Sequence, residues 1–162
     1  MSEIINSLVT DRSIADVARW LELRNKGYAN MTDAEREEWD VGNMKGAYNP
    51  SDLNRVGEAL NYVRDRLTVA GYLAASSVDA KTDWAAADVP TGADLTKYLG
   101  YVSTIRETLA QFSYTPPAPE NTGGLDYQEA NNIEKILFDV NLLIDNMLAA
   151  RYFCGELYSG EV

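Results

Sequence analysis

Apolar residues recur every three or four positions along three long stretches of this chain. Leu53, Val56, Leu60, Val63, Leu67 and Ala70 make the first stripe. Leu95, Tyr98, Val102, Ile105, Leu109 and Phe112 make the second, and Ala130, Ile133, Leu137, Val140, Ile144 and Met147 the third. That spacing puts each set on one face of an α-helix. Ile136, Leu143 and Leu148 widen the third stripe, so its helix is expected to be the most buried. Each stripe has its own start signal. Asn49 is a favoured N-cap, Pro50 fits the first helical position, and Asp52 complements the helix dipole. Thr91 with Asp94 opens the second helix. Asp126 with Glu129 forms a capping box for the third, and Leu125 can staple onto Ala130.

Two shorter helices precede these. Ile14, Val17 and Leu21, joined by Ala18 and Trp20, predict a helix from Ser13 to about Asn25, ended by Gly27. The capping box Thr32-Asp33-Ala34-Glu35 starts a short helix that reaches about Val41 and is anchored by Trp39. Gly71 and Gly155 are expected to close the first and third long helices. Gly57 and Gly100 fall inside helices, where each costs about 1 kcal/mol relative to alanine. Both are therefore expected where another backbone comes close. Residues 73–90 lack periodicity and read as a long connection, either functional or holding a short helix. Tyr114-Thr115-Pro116-Pro117-Ala118-Pro119 cannot continue a helix and should be extended.

The expected fold is all-α: one domain over residues 1–162, an antiparallel bundle of three long helices plus two shorter N-terminal helices. Residues 1–12 are expected to be a flexible arm and residues 155–162 a tail. Stripes of this kind can also join copies into an oligomer. Three of them in one chain, separated by proline- or glycine-bearing loops, favour an intramolecular core.

Composition narrows the chemistry. A chain of 162 residues can bury enough surface to fold without disulfides or a metal. Its single cysteine, Cys154, cannot form an intrachain disulfide and reads as a small apolar residue. The net charge is −11, and the 14 lysines and arginines form no basic stripe. That argues against nucleic acid and against anionic membrane surfaces. It suits a basic partner surface. No run approaches the ~20 apolar residues of a spanning helix, so no membrane insertion is expected. Met1–Thr10 has no basic, apolar signal-peptide pattern.

Histidine is absent. This removes histidine-based triads, histidine-containing zinc sites and the usual base near neutral pH. The carboxylates Glu35, Glu37, Glu38 and Asp40 read as a solvated helix face rather than a glycosidase pair. Asp52-Leu53-Asn54 with Glu58 lacks the central glycine and spacing of a calcium loop. No catalytic residue, metal ligand or cofactor site is assigned. Aromatic side chains remain as candidate contacts with a partner. Trp20 and Trp39 sit on helices and read as core. Trp84, in its loop among Asp83, Ala85 and Asp88, is the leading candidate, with Tyr114 in the proline stretch and Tyr158 in the tail.

Several segments together carry a likeness. They are Thr10-Asp11-Arg12-Ser13 with Asp16-Val17; Lys26-Gly27-Tyr28; Met31-Thr32 with Glu35 and Glu38-Trp39; and Lys45-Gly46-Ala47-Tyr48-Asn49 leading into Asp52-Leu53-Asn54-Arg55-Val56. Later come Trp84, Asp88, Pro90-Thr91, Tyr98-Leu99, the proline stretch, Ala130-Asn131 with Ile133-Glu134, and Tyr158-Ser159-Gly160-Glu161. In this order the chain resembles a family of small helical proteins or domains encoded in the tail and baseplate region of phages and prophages of Gram-positive, especially clostridial, bacteria. The resemblance implies a component of a virion or phage-tail-like particle, made in the bacterial cytoplasm without a signal peptide. Its implied partners are other tail or baseplate proteins, with a homo-oligomer within the particle as one arrangement. It brings no catalytic residues. Two roles follow: a structural or assembly module of the tail tip or baseplate, or a module that binds a glycan or protein on the host cell surface.

Overall fold

The computed structural model describes residues 2–121, 123 and 125–159, with backbone alone for 151–159. Among the described residues there are six α-helices, two 3-10 turns and no strand, so the protein is all-α. The helices are α1 (Glu3–Asn6), α2 (Ile14–Lys26), α3 (Asp33–Asp40), α4 (Pro50–Val69), α5 (Gly92–Glu107) and α6 (Tyr127–Ser159). The 3-10 turns are Tyr28–Asn30 and Leu73–Ser77.

The three stripes meet in one core. Leu53, Val56, Leu60, Val63 and Leu67 of α4 are buried with Val102 and Ile105 of α5 and with Ile133, Leu137, Val140 and Ile144 of α6. Each of the three helices touches the other two. Burying a Val, Leu or Ile side chain gains about 1.5–3 kcal/mol, so these faces dominate what holds the chain together.

Capping sets where the helices begin. Ser13, Thr32 and Thr91 each accept a hydrogen bond from the amide three residues on, and Asp16, Glu35 and Asp94 reach back to the cap amides. At α4 the Asn49 amide donates to Asp52, while the Asn49 side chain turns back and donates to the carbonyls of Met44 and Ala47. Asn49 therefore also ties down the approach to its helix.

Several expectations are corrected. Residues 2–12 are a docked strap rather than a flexible arm: Ile5 in α1 is 1% exposed and belongs to the core. The inward side of α2 is Leu23, and Ile14 is 71% exposed. Near its start α2 meets the Gly46 backbone through the Asp16 carbonyl and the Trp20 side chain, which leaves Ile14 on the outer side. Helix α5 stops at Glu107, before Leu109 and Phe112, because the Gln111 side chain donates to the carbonyls of Arg106 and Leu109 and closes the turn. Gly155 does not end α6, which runs to Ser159. The expected tail over 155–162 is therefore helical backbone as far as it is described, and residues 160–162 lie outside the described residues.

The connection after α4 is not a free loop. Beyond its 3-10 turn, residues 78–84 lie extended along α4. Asn61 exchanges two hydrogen bonds with the backbone of Ala80, each 2.9 Å. Asn54 does the same for Trp84, at 2.7 and 2.9 Å. Arg64 donates to the Val78 carbonyl. Between the two asparagines sits Gly57, where a Cβ would run into the carbonyl oxygen of Lys81. Two carboxamides thus replace a neighbouring strand for this segment, and a glycine lets it lie close. Gly100 is different: nothing stands within 4 Å of where its Cβ would be.

Surface ion pairs fix the α2–α3 hairpin. Lys26 bonds Glu35 at 2.7 Å, and Arg19 bonds Glu38 at 2.7 Å. The Lys26 ammonium, then the Thr32 amide, hold the Glu35 carboxyl down at about 2, against an ordinary 4.5. Glu38 beside Arg19, Asp11 beside Lys45 and Asp94 under the Thr91 hydroxyl are lowered too. Groups with depressed folded values stabilise the fold above their unfolded values and lose that contribution as pH falls through the folded ones. The melting temperature should therefore fall between about pH 4.5 and pH 2. With no histidine it should stay level between about pH 5 and 8. Thermal melts followed by circular dichroism across this range check both parts.

Candidate functional site

The four residues Lys45–Tyr48, on the approach to α4, explain the site. Lys45 pairs with Asp11 at 2.7 Å. Gly46 lies against the first turn of α2, where a Cβ would run into the carbonyl of Asp16. Only glycine admits that approach, and it brings Tyr48 over the start of α4. The Tyr48 hydroxyl lies 2.6 Å from that of Tyr98 on α5. Its ring lies under Arg12, whose guanidinium carbon is 5.5 Å from the ring centroid, a cation–π arrangement.

Arg12 belongs to a buried ionic cluster. It donates to Asp52 at 3.0 Å and to Glu134 at 2.6 Å. Arg55 donates to the same two carboxylates. Two positive and two negative side chains balance. Glu134 has no accessible side-chain surface and also accepts the Val9 amide. Asn131 completes the clamp, accepting from the Arg12 amide and donating to the Arg12 carbonyl. The strap is thus fastened to α4 and α6 together.

Beside this cluster lies a cavity of about 430 Å³. Its walls come from the strap, α2, the Lys45–Tyr48 approach, α4, α5 and the start of α6. Leu53, Leu95 and Ile133 make it apolar, and Tyr48, Tyr98 and Tyr127 supply aromatic surface. Tyr48 is 38% exposed although its hydroxyl is bonded inside. Burial pushes the Tyr48 and Tyr98 hydroxyls well above their ordinary 10, so both stay protonated. The volume is that of a small-molecule site.

The aromatic candidates are dispersed. Trp84 is half-buried against the core, its backbone held by Asn54 and its ring 4.1 Å from the Lys81 ammonium. It lines a shallow groove of about 280 Å³ with Lys97 and Tyr101. Tyr114 is 60% exposed, stacks on Phe112 at 5.0 Å, and lies beneath Lys135. The proline loop behind it docks on α6 through a bond from Thr115 to buried Asp139, and Arg106 donates to the Pro116 carbonyl. Trp84 and Tyr114 share none of these neighbours. The side chain of Tyr158 lies outside the described residues. Among the described residues no group of His, Cys, Asp or Glu is placed to hold a metal ion, and no helix is long and apolar enough to cross a membrane.

Sequence reasoning did not find Arg12, Arg55 and Glu134. The signal was present: Glu134 falls four residues after Ala130 and three before Leu137, a charge in register with an apolar stripe. Such a charge is buried only with partners. Asp52, expected only to complement the helix dipole, accepts the Asn49 amide through one oxygen while the other faces the arginines.

No family model matches the chain, and no curated protein or solved structure matches it.

Proposed function

We propose that this protein is a non-enzymatic component of a phage or phage-tail-like particle, a structural or assembly module of its tail tip or baseplate. The family resemblance along nearly the whole chain suggests the particle. In the same reading α4, α5 and α6 form an antiparallel bundle that serves as a rigid block, and its acidic surface suits basic neighbours. One observation carries the assembly role. Val69, at the end of α4, is 89% exposed and lines a shallow apolar hollow with Tyr62, Ala70 and Leu148 of α6. An apolar patch of this kind suits contact with another particle protein. The competing role, binding a host-surface glycan or protein, draws on Tyr114 and its stack with Phe112.

Val69→Glu should leave the isolated domain within about 0.5 kcal/mol of wild type, as exposed substitutions do. It should lower incorporation of the chain into particles at least tenfold, measured by quantitative mass spectrometry of purified particles from a complemented deletion strain. Unchanged incorporation would remove the role of this patch. If the chain were absent from particles and the isolated domain bound host cells, the assembly role itself would fail.

A further inference from the structure

The cavity beside the ionic cluster has a chemistry that neither the core nor the proposed assembly role uses. Two hydroxyl groups that share one hydrogen bond leave one O–H without an acceptor. Tyr48 and Tyr98 are such a pair, and among the described residues no other hydrogen bond reaches either hydroxyl. Arg12, on the same wall, is 5% exposed and carries a buried Nε for which no partner is found. The wall therefore offers unpaired donors, while its one carboxylate outside the ion pairs, Asp126, already accepts the amides of Gln128 and Glu129. It offers no free positive charge, because Arg12 and Arg55 are balanced by Asp52 and Glu134, and Lys45 by Asp11. The remaining surface is aliphatic and aromatic.

We propose that this cavity is a binding site for a small neutral organic molecule with an aromatic or compact apolar body and one acceptor oxygen of the carbonyl type. The apolar body replaces water against Leu53, Leu95 and Ile133, where burial is favourable. The carbonyl oxygen takes the unpaired tyrosine O–H. An anion is excluded because it would add an unbalanced charge to a cluster already neutral and desolvated. A molecule without an acceptor loses the hydrogen bond and leaves a buried donor unpaired. The size, about 430 Å³ between six chain segments, suits a free small molecule rather than a helix. The site is independent of the particle role.

Three probes of one ring size test this on the full-length protein: acetanilide, benzoate and ethylbenzene. Each is titrated while amide shifts are followed by NMR. Acetanilide should give saturable shifts at Ala47, Leu53, Leu95, Tyr127 and Ile133, with affinity at least fivefold above that of the other two. Tyr48→Phe with Tyr98→Phe keeps both rings and removes both hydroxyls. In that double variant acetanilide should bind about fivefold more weakly, the size of one hydrogen bond, and ethylbenzene, which no longer leaves a donor unpaired, should bind at least as tightly as before. The ranking of the three probes on the wild-type protein carries the test alone if the double variant does not fold. Absent or unsaturable shifts at the cavity, benzoate binding as well as acetanilide, or a double variant that binds acetanilide unchanged would each overturn the proposal.

Discussion

Glu134→Ala is expected to destabilise the protein by about 3–5 kcal/mol, the cost of removing one partner from a buried ionic group. Four donors meet the two oxygens of this side chain: the Val9 amide, Arg12, and two nitrogens of Arg55. A carboxylate has about four acceptor positions, and all are used. Truncation leaves Arg12 buried with Asp52 alone, and Asp52 must then serve two guanidinium groups. The loss should be local as well as global. The strap has no other charged tie to α6 at this point, so hydrogen exchange at Ile5 and Arg12 should accelerate far more than at Val63 or Val140. Urea denaturation gives the first quantity and exchange by NMR the second. A cost below 1 kcal/mol would show that the cluster is not fastening the strap.

Gly57→Ala is expected to destabilise by about 1–3 kcal/mol, although alanine is the better helix former by about 1 kcal/mol. The added methyl runs into the Lys81 carbonyl, with the Thr82 Cγ2 a further 3.3 Å neighbour. The Lys81 oxygen is backbone and cannot rotate away. To make room the segment 78–84 must lift, and the paired bonds of Asn54 to Trp84 and Asn61 to Ala80 lengthen with it. Gly100→Ala is the control. It sits in a helix of the same core with open space at its Cβ, and it should stabilise by about 0.5–1 kcal/mol. Opposite signs in parallel denaturant melts would establish the close approach. Stabilisation by both would refute it.

Local signals were legible in the sequence because they are local. The capping boxes at Ser13, Thr32 and Thr91 are bonds between residues three apart, so residue type and spacing suffice. The stripes on α4 and α6 were legible because burial repeats with the helix period. What was hidden depends on partners distant in the chain. Gly57 could be recognised as a close approach, but not that the visitor would be Lys81, because asparagine pairs binding a backbone leave no periodic trace. Gly100 looked identical and has no visitor. Residues 2–12 looked free because their docking rests on Arg12, whose partners are 40 and 122 positions away. The cavity was invisible for the same reason. Its walls come from six segments, and the Lys45–Tyr48 approach, expected only as a lead-in to a helix, supplies one of its three tyrosines.

The fastening of the strap also orders events during synthesis. Arg12 leaves the ribosome about forty residues before Asp52 and Arg55, which follow within seconds at 5–20 residues per second. Asn131 and Glu134, which close the clamp, come 119 to 125 positions after the residues they hold. Until then the nascent chain presents two arginines against one aspartate, with Ile5 lacking the α6 part of its pocket. The strap is made before its partners and is thus among the last segments to settle, and a chain truncated before residue 134 should leave the strap open to proteases.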